Sequence, residues 1–162
     1  MLKSSKTVIF CVLIAFCVFP LKSEATNSTD SKRTTFILSA EVGGDLFYQA
    51  VNTNLTFTVG HTYDNGLFLG GGAGVIGSWK EDVSFPFYAE TRYVFPSNKR
   101  VSPYIDVKIG PAISSTGSKV NMYSSPSIGI DLGKTSFHLS YREIKRGYER
   151  LGGLQVGFSL KF

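Results

Sequence analysis

The stretch Leu151–Phe162, "LGGLQVGFSLKF", alternates large apolar residues with small or polar ones. Leu154, Val156, Phe158, Leu160 and Phe162 share one parity, and Gly153, Gln155, Gly157, Ser159 and Lys161 share the other. Period two is the mark of a strand with two chemically different faces. The same alternation recurs along the chain and predicts strands over 35–48, 54–64, 67–79, 84–96, 101–113, 121–132, 135–145 and 152–162. Nowhere does a window repeat at helical spacing. These strands are long: globular strands usually run about 5 or 6 residues, whereas a tilted strand needs about 9 to 11 to cross a bilayer.

The start of the chain has a different character. "MLKSSK" is basic, "TVIFCVLIAFCVF" is an apolar core, and Ser23, Glu24 and Ala25 form a small-x-small site, so residues 1–25 are expected to be a signal peptide cleaved near Ala25. The apolar run falls short of the roughly 20 residues of a transmembrane helix. Residues 26–33, polar and without periodicity, read as a flexible leader, and 34–162 as one barrel domain. Cys11 and Cys17 both lie in the segment expected to be removed, which leaves neither disulfides nor thiolate ligands. The formal net charge of +5 owes part of its excess to Lys3, Lys6 and Lys22. The densest basic stretch, "REIKRGYER", is broken by two glutamates, so no nucleic-acid partner is expected.

The connections alternate in length. Asn65-Gly66, "PSNKR" and "GKTS" are tight turns, while "QAVNTN", "KEDV", "SSTGSKV" and "KRGYERLG" are on the whole longer and more charged. An up-and-down meander with turns at one end and loops at the other follows. Its faces separate cleanly: Leu38, Phe57, Leu69, Ile105, Val107, Ile128, Leu139 and Val156 lie on one side, and Glu41, Asp45, Thr58, Glu90, Arg92, Asp106, Lys108, Asp131, His138, Arg142 and Lys161 on the other.

Two barrels use this pattern. A soluble, secreted lipocalin-like carrier of a small apolar ligand hides the apolar face; a membrane barrel exposes it. Three features favour the membrane. Glycines such as Gly43, Gly72, Gly110 and Gly157 fall on the polar face, which suits a crowded lumen. Aromatics gather near strand ends, with Phe36, Tyr63, Phe95, Phe137 and Phe162 at the tight-turn end and Tyr48, Trp79 and Phe85 at the other, as two lipid interfaces require. The charges of the polar face nearly balance, which predicts a plug of ion pairs over Glu41, Asp45, Glu90, Arg92, Asp106, Lys108, Asp131, His138, Arg142 and Lys161 rather than a pore.

Catalytic signals are weak. His138 and Ser140 share a face and Asp131 lies on the preceding strand, but no nucleophile elbow accompanies them. Neither histidine has a partner set for a metal, and the glycines from Gly70 to Gly74 lack the GK[ST] of a phosphate loop. No cofactor, metal or catalytic residue is expected. Lys145, Arg146 and Arg150 could meet lipopolysaccharide phosphates or simply form a solvated loop.

"FYAETRYVF", "VSPYIDVKIG", "SSPSIGIDLG" and "LGGLQVGFSLKF", in that order, resemble the small outer-membrane β-barrel family of Bacteroidota, similar in architecture to the eight-stranded OmpA and OmpX type barrels. The resemblance covers about residues 34 to 162. It implies an all-β, eight-stranded antiparallel barrel in the outer membrane of a Gram-negative bacterium. It also implies insertion by the barrel assembly machinery through a terminal strand ending in Phe, here Leu154, Val156, Phe158, Leu160 and Phe162. The expected protein is a monomer in the lipid bilayer with a closed polar lumen and a structural or surface-interaction role. The alternatives are the lipocalin-like carrier and an outer-membrane lipid-modifying enzyme.

Overall fold

A computed structural model describes residues 33–45, 51–78, 83–97, 100–115, 120–146 and 149–162. The strands are β1 (Arg33–Asp45), β2 (Val51–Thr62), β3 (Leu67–Ser78), β4 (Ser84–Val94), β5 (Ser102–Ser114), β6 (Val120–Asp131), β7 (Thr135–Arg146) and β8 (Glu149–Lys161). Each pairs antiparallel with its sequence neighbours, and β8 returns to β1, so the sheet is a closed barrel. Closure leaves no unpaired edge.

Expected and observed strands differ by a few residues at their ends. β8 begins at Glu149 rather than 152, while residues 46–48, expected to continue β1, lie outside the described residues. The β7–β8 register continues out to Arg146 and Glu149, because polar residues can extend a ladder that a hydrophobic pattern does not announce. The expected signal peptide, residues 26–32 of the leader, and Tyr48 and Trp79 lie outside the described residues.

The tight turns lie at one end of the barrel, together with Arg33 and Phe162. Asn65 and Gly66 do not form a two-residue hairpin. Tyr63 N–H donates to Leu67 O at 2.8 Å and Gly66 N–H donates to Tyr63 O at 3.0 Å, giving a three-residue loop that ends on Gly66 at φ 85°. That is the turn-plus-bulge geometry in which glycine takes the left-handed position. Between β6 and β7, Leu132 N–H donates to Thr135 O at 2.8 Å across a two-residue loop with Gly133 at φ 90°.

The β1–β8 seam pairs Ile37 with Lys161 through to Asp45 with Gly153. It continues one step further: Phe36 N–H donates to Phe162 O at 3.1 Å, and Phe162 N–H returns to Phe36 O at 2.9 Å. The stretch from Leu151 to Phe162 is therefore the strand that closes the barrel.

The apolar face points outward. Val107 is 46% exposed and Val156 58%, whereas Arg92 is 1% and Lys108 2%. A lipocalin-like carrier needs the opposite arrangement, so that alternative is overturned: its apolar face would have to line the cavity, and here it covers the outside.

Candidate functional site: the barrel interior

Alternation along each strand aims every second side chain inward, and among the described residues this assembles ionic groups, including three built on Glu41, Arg92 and Lys161. The largest centres on Glu41 of β1. Its Oε1 accepts from His138 Nε2 of β7 at 3.1 Å and from Lys108 Nζ of β5 at 3.3 Å, and its Oε2 accepts from Asn54 Nδ2 of β2 at 2.9 Å. Gln155 of β8, with its amide oriented to suit both neighbours, donates to Glu41 Oε2 at 2.7 Å and accepts from Arg142 Nη1 at 3.0 Å. Lys108 also donates to Thr56 Oγ1 at 3.4 Å.

The Glu41–His138 bond depends on a missing side chain. Glu41 pairs with Gly157, and Gly157 pairs with His138 on its other side. A Cβ at Gly157 would lie 2.6 Å from both Glu41 Cγ and His138 Nε2. Glycine here opens the space in which residues two strands apart meet.

The second group holds Arg92 of β4. Its Nη2 lies 3.1 Å from Glu90 Oε1 and 3.2 Å from Asp106 Oδ2, and its guanidinium stands 4.5 Å from the Tyr104 ring centroid. Glu90 also accepts from Thr58 Oγ1 at 2.6 Å. The third group, at the tight-turn end, joins Lys161 to Asp131, whose Oδ1 also accepts from Gly133 N–H at 2.7 Å. Burial of charge in a low dielectric is tolerated when each charge has an opposite one beside it, as Glu41 has Lys108, Arg92 has Glu90 and Asp106, and Lys161 has Asp131.

Thus Glu41, Glu90, Arg92, Asp106, Lys108, Asp131, His138 and Arg142 are buried, and Lys161 is half-buried at the end. Asp45 pairs with Gly153 in the sheet; its side chain lies outside the described residues. Phe36 stacks on Phe57 at 6.2 Å. Phe85, Phe95, Phe137, Leu154, Val156, Phe158 and Phe162 are exposed on the outer surface, and Tyr63 and Leu160 are half-buried.

Sequence reasoning missed part of this interior. Asn54 and Tyr88 both join polar contacts, Tyr88 through its hydroxyl 3.0 Å from Thr58 Oγ1. Toward the loop end the interior becomes more apolar: Ile76, Tyr88, Ala112, Tyr123 and Ile144 form a buried cluster, with Asn52, Ser84 and Asn121 buried at the same end. Inward parity was the available signal, since Tyr88 is in step with Glu90 and Arg92.

The suggested Ser-His-Asp set is not assembled. His138 bonds Glu41, Asp131 bonds Lys161, and Ser140 Oγ has no hydrogen-bond partner. Among the described residues no group of three or more His, Cys, Asp or Glu could hold a metal.

Similar architecture is found in solved structures of low sequence identity. The outer membrane enzyme PagL superposes with TM-score 0.63 at 17% identity, covering 76% of this chain and 98% of PagL. The chain has the fold of the small transmembrane β-barrels. The same transmembrane-barrel fold is shared with the N-terminal barrel domain of Pseudomonas aeruginosa OprF (TM-score 0.53, 11% identity, 81% of this chain and 99% of that one). It is shared too with Neisserial surface protein A (TM-score 0.51, 13% identity, 84% of this chain and all of that one). No protein-family model and no curated protein matches the chain. At these identities the likeness establishes the transmembrane-barrel fold and nothing about activity.

Proposed function

We propose that this chain is an integral outer-membrane protein whose closed, ion-paired lumen serves no catalysis, and that its role is structural or surface-interacting. The observation that carries the reading is the inversion of faces: Val107 and Val156 stand in the open while Glu41 and Lys108 are buried together. Inside lipid every backbone polar group must be satisfied by the chain itself, which a closed barrel achieves. β1 and β5 are four strands apart in an eight-stranded ring, so the Lys108–Glu41 bond spans the interior from one wall to the opposite one. A contact across the full diameter, with the Arg92 group beside it, favours an occluded lumen. The test is to fold the protein in detergent and lipid: a heat-dependent shift on SDS gels and no single-channel conductance are expected. Solubility without detergent would refute membrane residence, and stable conductance would refute occlusion.

A lipid-modifying enzyme is the second reading, favoured by the likeness to PagL and by the His138–Glu41 pair. Against it, that pair lies inside the barrel without a bonded nucleophile. An unchanged membrane lipid profile in a His138→Ala strain excludes it; an altered one supports it.

A further inference from the structure

Inward side chains change in kind along the barrel axis. From the tight-turn end toward the loop end, β4 presents Glu90, Tyr88, Pro86 and Ser84, and β6 presents Ser125, Tyr123 and Asn121; β5, between them, passes from Lys108 through Gly110 to Ala112. Tyr88, Tyr123 and Ala112 are buried, as are Ser84 and Asn121 beyond them. The ionic groups are therefore capped by rings before the loop end is reached.

The two rings meet across an intervening strand. Their centroids lie 5.8 Å apart at 45°, and the β5 residue in register with Tyr123 is Gly110, where a Cβ would meet Tyr88 Cα at 2.8 Å. In the other direction Tyr88 passes over Gly72 of β3, whose added Cβ would meet the Tyr88 hydroxyl at 2.7 Å, and that hydroxyl lies 3.0 Å from Thr58 Oγ1 of β2. Tyr123 is in register with buried Ile144 of β7. The layer thus reaches from β2 to β7. It sits close above the charge, with Lys108 Nζ 5.8 Å from the Tyr88 ring centroid.

The backbone under Tyr88 is held on one side only. The β4–β5 ladder pairs Ser84 to Pro86 and then Ala89 to Val94, leaving Phe87 and Tyr88 in a gap that the register sets opposite Pro111 and Gly110. Proline has no N–H to give to a ladder. Tyr88 is paired with Gly72 on its β3 side, whereas Tyr123 is in register with both of its neighbours.

We infer that Tyr88 and Tyr123 form an aromatic gate across the lumen, and that Tyr88, latched to Thr58, is its movable leaf. The inference rests on the occluded membrane barrel of the reading above and names what occludes it. An eight-stranded interior is just wide enough for its side chains to fill. Charged side chains can trade partners with a passing ion and its water, whereas an apolar constriction expels that water. The rings, more than the ion pairs, are the seal, and the species they hold back are small hydrated ions.

The test is single-channel recording on the full barrel in planar bilayers, with heat-modifiability on gels confirming that each variant is folded. Wild type should be silent. Tyr88→Ala/Tyr123→Ala should show discrete conductance steps. Tyr88→Phe, which keeps the ring and loses the Thr58 bond, should show brief openings that Tyr123→Phe does not. Glu41→Gln/Lys108→Met, which removes the charges and keeps their bulk, should stay silent. Silence of the folded double-alanine variant overturns the gate, as does an equal conductance from Glu41→Gln/Lys108→Met; openings as frequent in Tyr123→Phe as in Tyr88→Phe overturn the latch. If the double-alanine variant does not fold, Tyr123→Ala alone carries the same test. A conducting wild type refutes occlusion itself, and a chain that never enters the bilayer fails at membrane residence, so neither is confused with a silent variant beside a silent wild type.

Discussion

Glu41 and His138 are hydrogen-bonded at 3.1 Å although β8 runs between their strands, because the residue in register with both is Gly157. A hydrogen bond that reaches across an intervening strand therefore depends on an absent Cβ.

Gly157→Ala should destabilise the barrel by about 1 to 3 kcal/mol, the usual cost of overpacking. The added carbon would meet Glu41 Cγ and His138 Nε2 at 2.6 Å and the Ala40 carbonyl at 2.8 Å. The side chains can swing aside but the backbone carbonyl cannot. Urea unfolding in lipid vesicles measures the loss; a neutral result would mean that the seam relaxes freely.

Lys108→Met removes the cation from a carboxylate that stays buried, and should cost about 3 to 5 kcal/mol. Glu41→Gln should be costly for the complementary reason, since Lys108 then loses its 3.3 Å partner. The double variant should lose less than the two single losses combined, with a coupling of about 0.5 to 3 kcal/mol. A double-mutant cycle on unfolding midpoints checks this, and strict additivity would show that the two groups do not depend on one another.

Val107→Arg and Val156→Arg both place a charge in the outward apolar band. Each should cost roughly 2 to 4 kcal/mol at mid-bilayer and reduce the folded fraction in vesicles. Val101→Arg, at the tight-turn end, should be mild. If all three behave alike, the band is not facing lipid.

Phe162→Asp should lower the amount of folded protein in the outer membrane of cells while leaving folding into detergent nearly intact. The Phe36–Phe162 bonds are made by backbone atoms, so the closing seam survives the change and only the exposed ring is lost. Quantifying heat-shifted protein in membrane fractions against refolded protein separates assembly from stability.

Much of this was legible in the residues. The parity of Leu154, Val156 and Phe158 against Gln155 and Ser159 identifies a two-faced strand, and the eight repeats of that pattern predict the meander. Val107 beside Lys108, and Glu90 beside Thr91, divide the chemistry between faces without any need for coordinates. Turn detail was less accessible: Asn65-Gly66 reads as a two-residue hairpin, yet Gly66 closes a three-residue loop, because loop length depends on the register of the strands beyond it.

The sequence by itself determined that each strand has an apolar and a polar face, since period two is local and survives in any barrel. Only the tertiary structure decided that the polar face is the inside, that Lys108 reaches across to Glu41, and that Ile76, Tyr88, Ala112, Tyr123 and Ile144 gather into one buried cluster. Those outcomes depend on the stagger of strands around a closed ring. Stagger brings together residues as distant in the chain as Glu41 and His138, and no local pattern encodes it.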